Sequence, residues 1–204
     1  SGKHAIEISA SDPKGNSGSS SIELYITPVP SYVKTEVGKD EMLPGSNVEI
    51  VASLYDQADD LINASLELEL NSPSNNNLFK KSVQSNEKTS YEFSQYAEPG
   101  EYFLVSSYRG LAIKSLINVT PIKQVKIDYS NETIFIENVG NSPFEDELTF
   151  ILQQGSKKYP LTKKIKIDPN KLLEIDLSKE VPLGSYDILF PIKRNDKNES
   201  IAKV

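Results

Sequence analysis

The chain has 204 residues, 29 acidic against 22 basic side chains, a net charge of −7, one histidine, and neither cysteine nor tryptophan. Without cysteine, disulfides, thiol catalysis and thiolate metal sites are excluded, and a lone His4 argues against a catalytic triad or a multi-histidine metal site. The acidic balance offers no basic stripe for nucleic acid, and no apolar run approaches the roughly 20 residues of a membrane helix, so neither partner is expected for this segment.

Apolar residues alternate with polar ones along most of the chain, which predicts β-strands. The clearest predicted strands are His4–Ala10, Ser21–Ile26, Asn47–Leu54, Ser65–Leu70, Glu101–Ser107, Thr133–Asn138, Glu147–Leu152 and Ser185–Phe190. Asn170–Ser178 is the one helix candidate, and its sequence fits a strand equally well. Short strands separated by Gly, Pro, Asn, Asp and Ser are typical of sandwiches, so we expect an all-β fold of tandem antiparallel immunoglobulin-like β-sandwiches.

One hairpin pattern recurs three times along the chain. A glycine is followed two residues later by a ring and then by alternating apolar residues, starting at Gly2, Gly100 and Gly184, with the rings at His4, Tyr102 and Tyr186. This pattern is typical of the penultimate strand of an immunoglobulin-like sandwich, where a tyrosine hydroxyl bonds back to the preceding corner. The spacing between copies is about the length of one such domain.

The repeat predicts three parts. Residues 1–30 are the C-terminal hairpin of a truncated immunoglobulin-like domain plus a proline linker, 31–121 are one complete sandwich, and 122–204 are another. A lone two-stranded ribbon is marginal in water, so we expect either that the chain begins inside a domain or that another chain completes the hairpin. In the second case, the hairpin of a monomer has an exposed apolar face. Charge differs between the parts, with 13 acids and 7 bases in 31–121 but 13 of each in 122–204.

Two oxygen-rich segments are candidate calcium ligands. Asp56, Asp59 and Asp60 cluster in one, and Asp12 with Asn16 makes another. Calcium takes six to eight oxygen ligands, whereas Asp and Asn in turns also bond their own backbone. The turn interpretation is favoured, and no metal or cofactor site is predicted.

Glu145 and Glu147 are the one candidate pair of carboxylates for acid–base hydrolysis. Alternate residues of a strand share a face, and this pair is expected on the solvent side. No catalytic residue is therefore predicted, and the chain is not expected to be an enzyme.

The last part of the chain has a basic edge, formed by Lys157, Lys158, Lys163, Lys164 and Lys166. Lysines on an edge strand discourage pairing with other chains. Docking onto the acidic middle domain of a neighbour is the alternative.

Four N-x-[ST] sequons are candidate glycosylation sites. They are Asn63, Asn118, Asn131 and Asn198. All four fall beside predicted turns or strand ends, where a glycan reaches water.

Several short motifs resemble those of known surface proteins. The runs 45–50 and 52–57, together with 99–102, resemble immunoglobulin-like repeats of archaeal cell-surface and S-layer-type proteins. The run 136–141, followed by 181–186, resembles CARDB-like surface domains, and 10–16 is similar to a turn of cadherin-like modules.

The resemblance implies a structural part of an extracellular, multi-domain surface protein that forms an S-layer, stalk or filament without catalysis. Expected partners are other domains of the same parent protein or like subunits, with glycans as a further candidate. An adhesion or carbohydrate-binding accessory module of a larger secreted enzyme is the alternative.

Overall fold

The computed structural model describes residues 1–182, 184–190 and 202–203, which fold almost entirely into strands. The strands up to residue 119 are β1 Gly2–Ser11, β2 Ser17–Ile26, β3 Pro30–Val37, β4 Glu41–Met42, β5 Asn47–Asp56, β6 Leu61–Ile62, β7 Ser65–Asn71, β8 Asn77–Gln84, β9 Lys88–Glu92, β10 Gly100–Tyr108 and β11 Leu111–Val119. Those that follow are β12 Val125–Ser130, β13 Thr133–Asn138, β14 Phe144–Gln154, β15 Lys157–Ile167, β16 Leu172–Asp176, β17 Asp187–Leu189 and β18 Ala202–Lys203. The expectation of an all-β fold is confirmed.

Of the two structures that the sequence of Asn170–Ser178 fits equally well, the strand is the one that forms. Its central residues form β16, which pairs with β13, and only Leu177–Lys179 make a 3₁₀ turn. Ile175 lies opposite Ile134 in this pairing, and both side chains are buried. The alternating pattern of this segment is therefore that of a strand with one buried face. Within the described residues this turn is the only helical segment.

The chain divides into two compact units. The first comprises Ser1–Met42, Asn47–Glu92 and Glu101–Asn118, and the second comprises Leu43–Ser46, Phe93–Gly100 and Val119–Val204. The predicted division into 1–30, 31–121 and 122–204 stays a prediction.

The first unit contains two larger sheets. One has the order β3-β5-β6 with β9 also paired to β5, and the other has the order β4-β11-β10-β7-β8. Alternate residues of β5, β7 and β10 are buried, among them Ile50, Leu68 and Leu104 with no exposed area. The Thr35 hydroxyl of β3 donates to the Ser106 hydroxyl of β10 at 2.6 Å, so the two sheets meet through a polar contact as well as through their apolar faces.

The second unit contains the sheets β12-β13-β16 and β15-β14-β17-β18. Both sheets contribute side chains to one buried cluster, with Ile134 and Ile136 from β13 and Phe150 and Leu152 from β14 at its centre. Period-two alternation places these residues on the inner face of each sheet.

Candidate functional site

The hairpin of β1 and β2 forms a sheet of its own. The two strands are antiparallel, with a continuous register from Gly2 opposite Ile26 to Ser11 opposite Ser17. Directly opposed residues of an antiparallel pair project from the same face of the sheet. The register therefore assigns every side chain of the hairpin to one of two faces.

One face of the hairpin is apolar and exposed to solvent. It carries Ile6, Ile8, Ile22, Leu24 and Ile26, which are 48, 56, 53, 45 and 46% exposed. The charged residues lie on the opposite face, where Lys3 Nζ is 2.8 Å from Glu23 Oε1. We call the five aliphatic residues the apolar hairpin face. Contiguous exposed apolar surface of this kind marks an interaction site.

The related hairpins of the chain bury the corresponding residues. Tyr102 and Leu104 of β10 are 2 and 0% exposed, and Tyr186 and Ile188 are 5 and 0% exposed, whereas Ile6 of β1 is 48% exposed. In both units these residues lie in the core of a sandwich. The first hairpin has the sequence of a sandwich hairpin and lacks an opposing sheet among the described residues.

Polar contacts within the first unit attach the base of the hairpin to the loop after β5. Gln57 accepts a hydrogen bond from the Val29 N–H at 2.7 Å and donates one to the Thr27 carbonyl at 3.1 Å. The Ser1 ammonium contacts the Asp60 carboxylate and lies 3.8 Å from Asp56 Oδ2. These contacts hold both strand ends of the hairpin, so the apolar hairpin face projects from an anchored base.

The two oxygen-rich segments form the same type of five-residue loop. Asp12 Oδ1 accepts the N–H groups of Lys14 and Asn16 at 2.8 and 2.9 Å. The Asn16 side-chain amide, which donates to Asp12 Oδ2 at 2.7 Å, and then these N–H groups lower the pKa of the Asp12 carboxyl. Asp56 Oδ1 accepts those of Ala58 and Asp60 at 2.8 and 2.9 Å. These carboxylates therefore serve to close their own loops.

A third loop of the first unit follows the same plan with a hydroxyl. The Asn76 N–H donates to Ser72 Oγ at 3.1 Å, and the Ser72 N–H donates to the Asn76 carbonyl at 2.9 Å. Each loop has one residue with positive φ at its fourth position. This residue is Gly15 in the first loop, Asp59 in the second and Asn75 in the third. The recurrence supports the turn interpretation of the aspartates.

Asp56 is nevertheless unusual, because it is only 1% exposed. Burial raises the pKa of its carboxyl, but the N–H groups of Ala58 and Asp60 and the Ser1 ammonium outweigh burial and hold the pKa below its ordinary value. Among the described residues, no three of His, Asp and Glu are grouped so that they could hold a metal ion.

Glu145 and Glu147 lie in a ladder of opposite charges. On β14 they stand directly opposite Lys166 and Lys164 of β15, and Lys166 Nζ is 3.5 Å from Glu145 Oε2. All four side chains are exposed to solvent, as predicted for the two glutamates. Opposite charges facing each other across a strand pair stabilise that pair modestly, which is a structural role for the carboxylates.

Three of the predicted sequon asparagines are exposed. Asn63 lies between β6 and β7, Asn118 lies on β11, and Asn131 lies in the turn between β12 and β13. Asn198 lies outside the described residues. The glycosylation of all four stays a prediction.

Two buried asparagines of the Asn-Val-Gly-Asn turn have a structural role that sequence reasoning did not identify. Asn138 has no exposed area, and its amide donates to the carbonyls of Ser142 and Ile167 at 2.9 and 2.8 Å and accepts from the Gly140 N–H at 3.0 Å. Asn141 similarly accepts from the Ile122 N–H at 2.6 Å. One acceptor, the Ile167 carbonyl, is 29 residues away from Asn138, and the sequence alone gives no signal for such a bond.

The predicted tyrosine corner is present in the second unit. The Tyr186 hydroxyl donates to the Pro182 carbonyl at 2.7 Å, and the ring packs edge-on against Tyr159 with centroids 5.7 Å apart. The bond links Tyr186, which directly precedes β17, to Pro182, as the repeat pattern predicts.

Comparisons with known proteins give no family. No protein-family model matches the chain, and no curated protein matches it. The chain is similar to a solved native alpha-2-macroglobulin of E. coli with 11% identity and a TM-score of 0.40, covering 92% of this chain and 17% of that one.

Two further solved structures are similar to the chain at comparable distance. A DUF4785 family protein from Legionella pneumophila has 12% identity and a TM-score of 0.33, covering 78% of this chain and 52% of that one. A tetra-tandem repeat in the extending region of a large adhesion protein has 11% identity and a TM-score of 0.35, covering 98% and 54%. The chain thus spans little more than half of these proteins at most. Among the described residues, helices of the length and hydropathy required to cross a membrane are absent.

Proposed function

We propose that the chain is a structural and associative part of an extracellular, multi-domain surface protein and acts without catalysis. The observation that carries this proposal is the apolar hairpin face, a contiguous aliphatic surface on an anchored hairpin. Asp12 and Asp56 accept N–H groups of their own loops, and Glu145 pairs with Lys166, which supports a structural role for these carboxylates. Binding through this face requires only packing, which is the chemistry that a stalk, lattice or filament uses.

The extracellular assignment is supported by three sequon asparagines with exposed side chains, Asn63, Asn118 and Asn131. Like subunits or other domains of the parent protein are the proposed partners, and an S-layer is one assembly that fits them.

Protease treatment of intact source cells tests the location. Trypsin should release peptides of this chain, identified by mass spectrometry, while peptides of a cytosolic marker stay in the cells. Release only after lysis would refute the surface location. A glycan panel probed with the purified chain addresses the accessory-module alternative, for which specific saturable binding to one glycan is the expected sign.

A further inference from the structure

We propose that residues 138–142, which we call the clasp, hold the connector formed by residues 120–124 in one extended conformation and so keep proteases from cutting the chain there. The connector links β11 to β12 and contains no strand of its own. Clasp and connector both belong to the second unit. The inference goes beyond the proposed function, and its benefit rests on the extracellular role, because exposed connecting segments are preferred sites of proteolytic cutting.

The first argument is the backbone of the connector, which bonds to the clasp at alternate residues. The Ile122 carbonyl accepts the N–H groups of Asn141 and Ser142 at 3.1 and 3.2 Å. The Gln124 carbonyl accepts the N–H groups of the two preceding residues of the clasp at 3.0 and 3.2 Å. Four donors of one short turn therefore converge on two carbonyls of the connector, and each carbonyl uses both of its lone pairs.

The second argument is the Asn141 side chain, which is 2% exposed and makes three further hydrogen bonds. Its Oδ1 accepts the Ile122 N–H at 2.6 Å, so both backbone polar groups of this connector residue bond to the clasp. Its Nδ2 donates to the Thr120 carbonyl at 3.1 Å and to the Ala97 carbonyl at 2.9 Å. Ala97 lies in the segment Phe93–Gly100, which belongs to the second unit as well. One buried amide thus ties the clasp to the connector twice and to a residue 44 positions earlier in the chain.

The third argument is the close approach of the two backbones. A Cβ on Gly140 would lie 2.2 Å from the Ile122 carbonyl oxygen, so this position of the clasp touches the connector with no side chain between them. Pro121 has a fixed φ and disfavours the helical conformation at Thr120. The extended form of the connector is therefore supported by its own sequence as well as by the clasp.

Lys123 is the residue at which this arrangement matters for proteolysis. Its side chain is exposed, so proteases with the specificity of trypsin can recognise it. They cut the bond between Lys123 and Gln124, and the carbonyls of Gln124 and Ile122 already bond to the clasp. The connector must leave the clasp before a protease can hold this backbone. The cutting rate therefore follows the population of molecules with an opened connector.

Limited trypsin digestion of the full chain, with each cut site identified by mass spectrometry, tests the proposal. Lys14 lies in the exposed turn between β1 and β2 and is the internal reference. In the original chain, cutting after Lys123 should be at least about tenfold slower than cutting after Lys14. Asn141→Ala removes three hydrogen bonds and should accelerate cutting after Lys123 at least about tenfold. Asn63→Ala, at an exposed position between β6 and β7, is the matched control and should leave this rate within about twofold.

Urea separates opening of the connector from unfolding of the whole second unit, because only unfolding exposes a large surface. In Asn141→Ala, about 1 M urea should change the rate of cutting after Lys123 by less than about twofold. Cutting after Lys164, which lies within β15, should rise at least about fivefold under the same conditions. The proposal is overturned by rapid cutting after Lys123 in the original chain, by an unchanged rate in Asn141→Ala, or by an equal dependence on urea at both lysines.

Hydrogen exchange provides a measurement that needs no variant. The Ile122 N–H donates to Asn141, whereas the N–H of the next residue, Lys123, has no acceptor among the described residues. After correction for intrinsic rates, the Ile122 amide should exchange at least about tenfold more slowly than the Lys123 amide. Equal exchange of the two amides would also overturn the proposal. Any of these failures would leave the surface location, which is tested on intact cells, standing.

Discussion

Replacement of Asn138 by aspartate is a sharp test of how the second unit is held together. The two side chains have almost the same shape, so packing is conserved. The amide nitrogen that donates to the carbonyls of Ser142 and Ile167 becomes a carboxylate oxygen that faces both carbonyls. The site has no exposed area, so water cannot replace the lost donors.

The magnitude follows from these contacts. Each buried carbonyl left without its donor costs about 1–3 kcal/mol, so the two together cost about 2–6 kcal/mol. Since small domains are stable by only about 5–15 kcal/mol, Asn138→Asp should remove a large part of the stability of the second unit. The transition temperature of that unit should fall by at least about 10 °C.

The loss should also depend on pH. Burial beside two carbonyls raises the pKa of the new carboxyl in the folded state above its unfolded value. Its protonated form, which can still donate one hydrogen bond, is therefore tolerated at low pH, and stability is lost as pH rises through the raised pKa. The deficit relative to the original protein should be smaller near pH 4 than near pH 7.

Calorimetry and urea unfolding at the two pH values measure this effect. Asn63→Asp is the matched control, because Asn63 is exposed between β6 and β7, and it should change stability by no more than about 0.5 kcal/mol. If Asn138→Asp costs no more than this control at pH 7, the buried amide does not hold the turn and the reasoning is wrong.

Three further predictions concern single contacts. Tyr186→Phe removes the hydroxyl that donates to the Pro182 carbonyl and should cost about 1–2 kcal/mol in urea unfolding, and an unchanged midpoint would contradict a stabilising corner. Gly140→Ala places a Cβ 2.2 Å from a backbone carbonyl oxygen and should cost about 1–3 kcal/mol, whereas Gly18→Ala meets no atom within 4 Å and should melt close to the original protein. The pKa of Asp56 is lower in the folded than in the unfolded state. The carboxylate therefore stabilises the fold above the unfolded pKa of about 4, and this stabilisation is lost as pH falls through the lower folded value. Asp56→Asn should therefore flatten the decline of melting temperature between about pH 5 and pH 2, and parallel curves would refute this assignment.

Most of the strands that sequence reasoning identified have an inner face, whereas β1 and β2 were identified from alternation alone and bury no side chain. In β5 and β13, alternate residues such as Ile50 and Ile134 are fully buried, and alternation is the signal that such strands leave in a sequence. β8 lies at the end of its sheet in the described part of the chain and buries only Val83. It is held largely by backbone hydrogen bonds, which any residue can make, so its sequence carries little alternation.

The candidate site was also predictable only in part from the sequence. The alternation of Ile6 with Ile8 and of Ile22 with Leu24 defines an apolar face, and the hairpin repeat indicates that it belongs to a sandwich. Whether anything covers that face is a matter of tertiary contacts, which only the structure describes. The buried role of Asn138 was missed for the same reason, since one of its acceptors, the Ile167 carbonyl, is 29 residues away.

The edge strand β15 shows how this chain protects a surface that should stay free. It pairs with β14 on one side, and among the described residues no strand pairs with its other side. Pro160 removes a backbone donor in the middle of the strand, and the lysines at 157, 158, 164 and 166 are exposed along it. Charge and proline are the usual means of preventing unwanted strand association. The apolar hairpin face has neither, although a single charge at Ile6 or Ile22 would suffice to block packing. The chain therefore shields β15 with charge but leaves five aliphatic side chains exposed on an anchored hairpin. This is the difference expected between a surface that stays free and one that forms contacts.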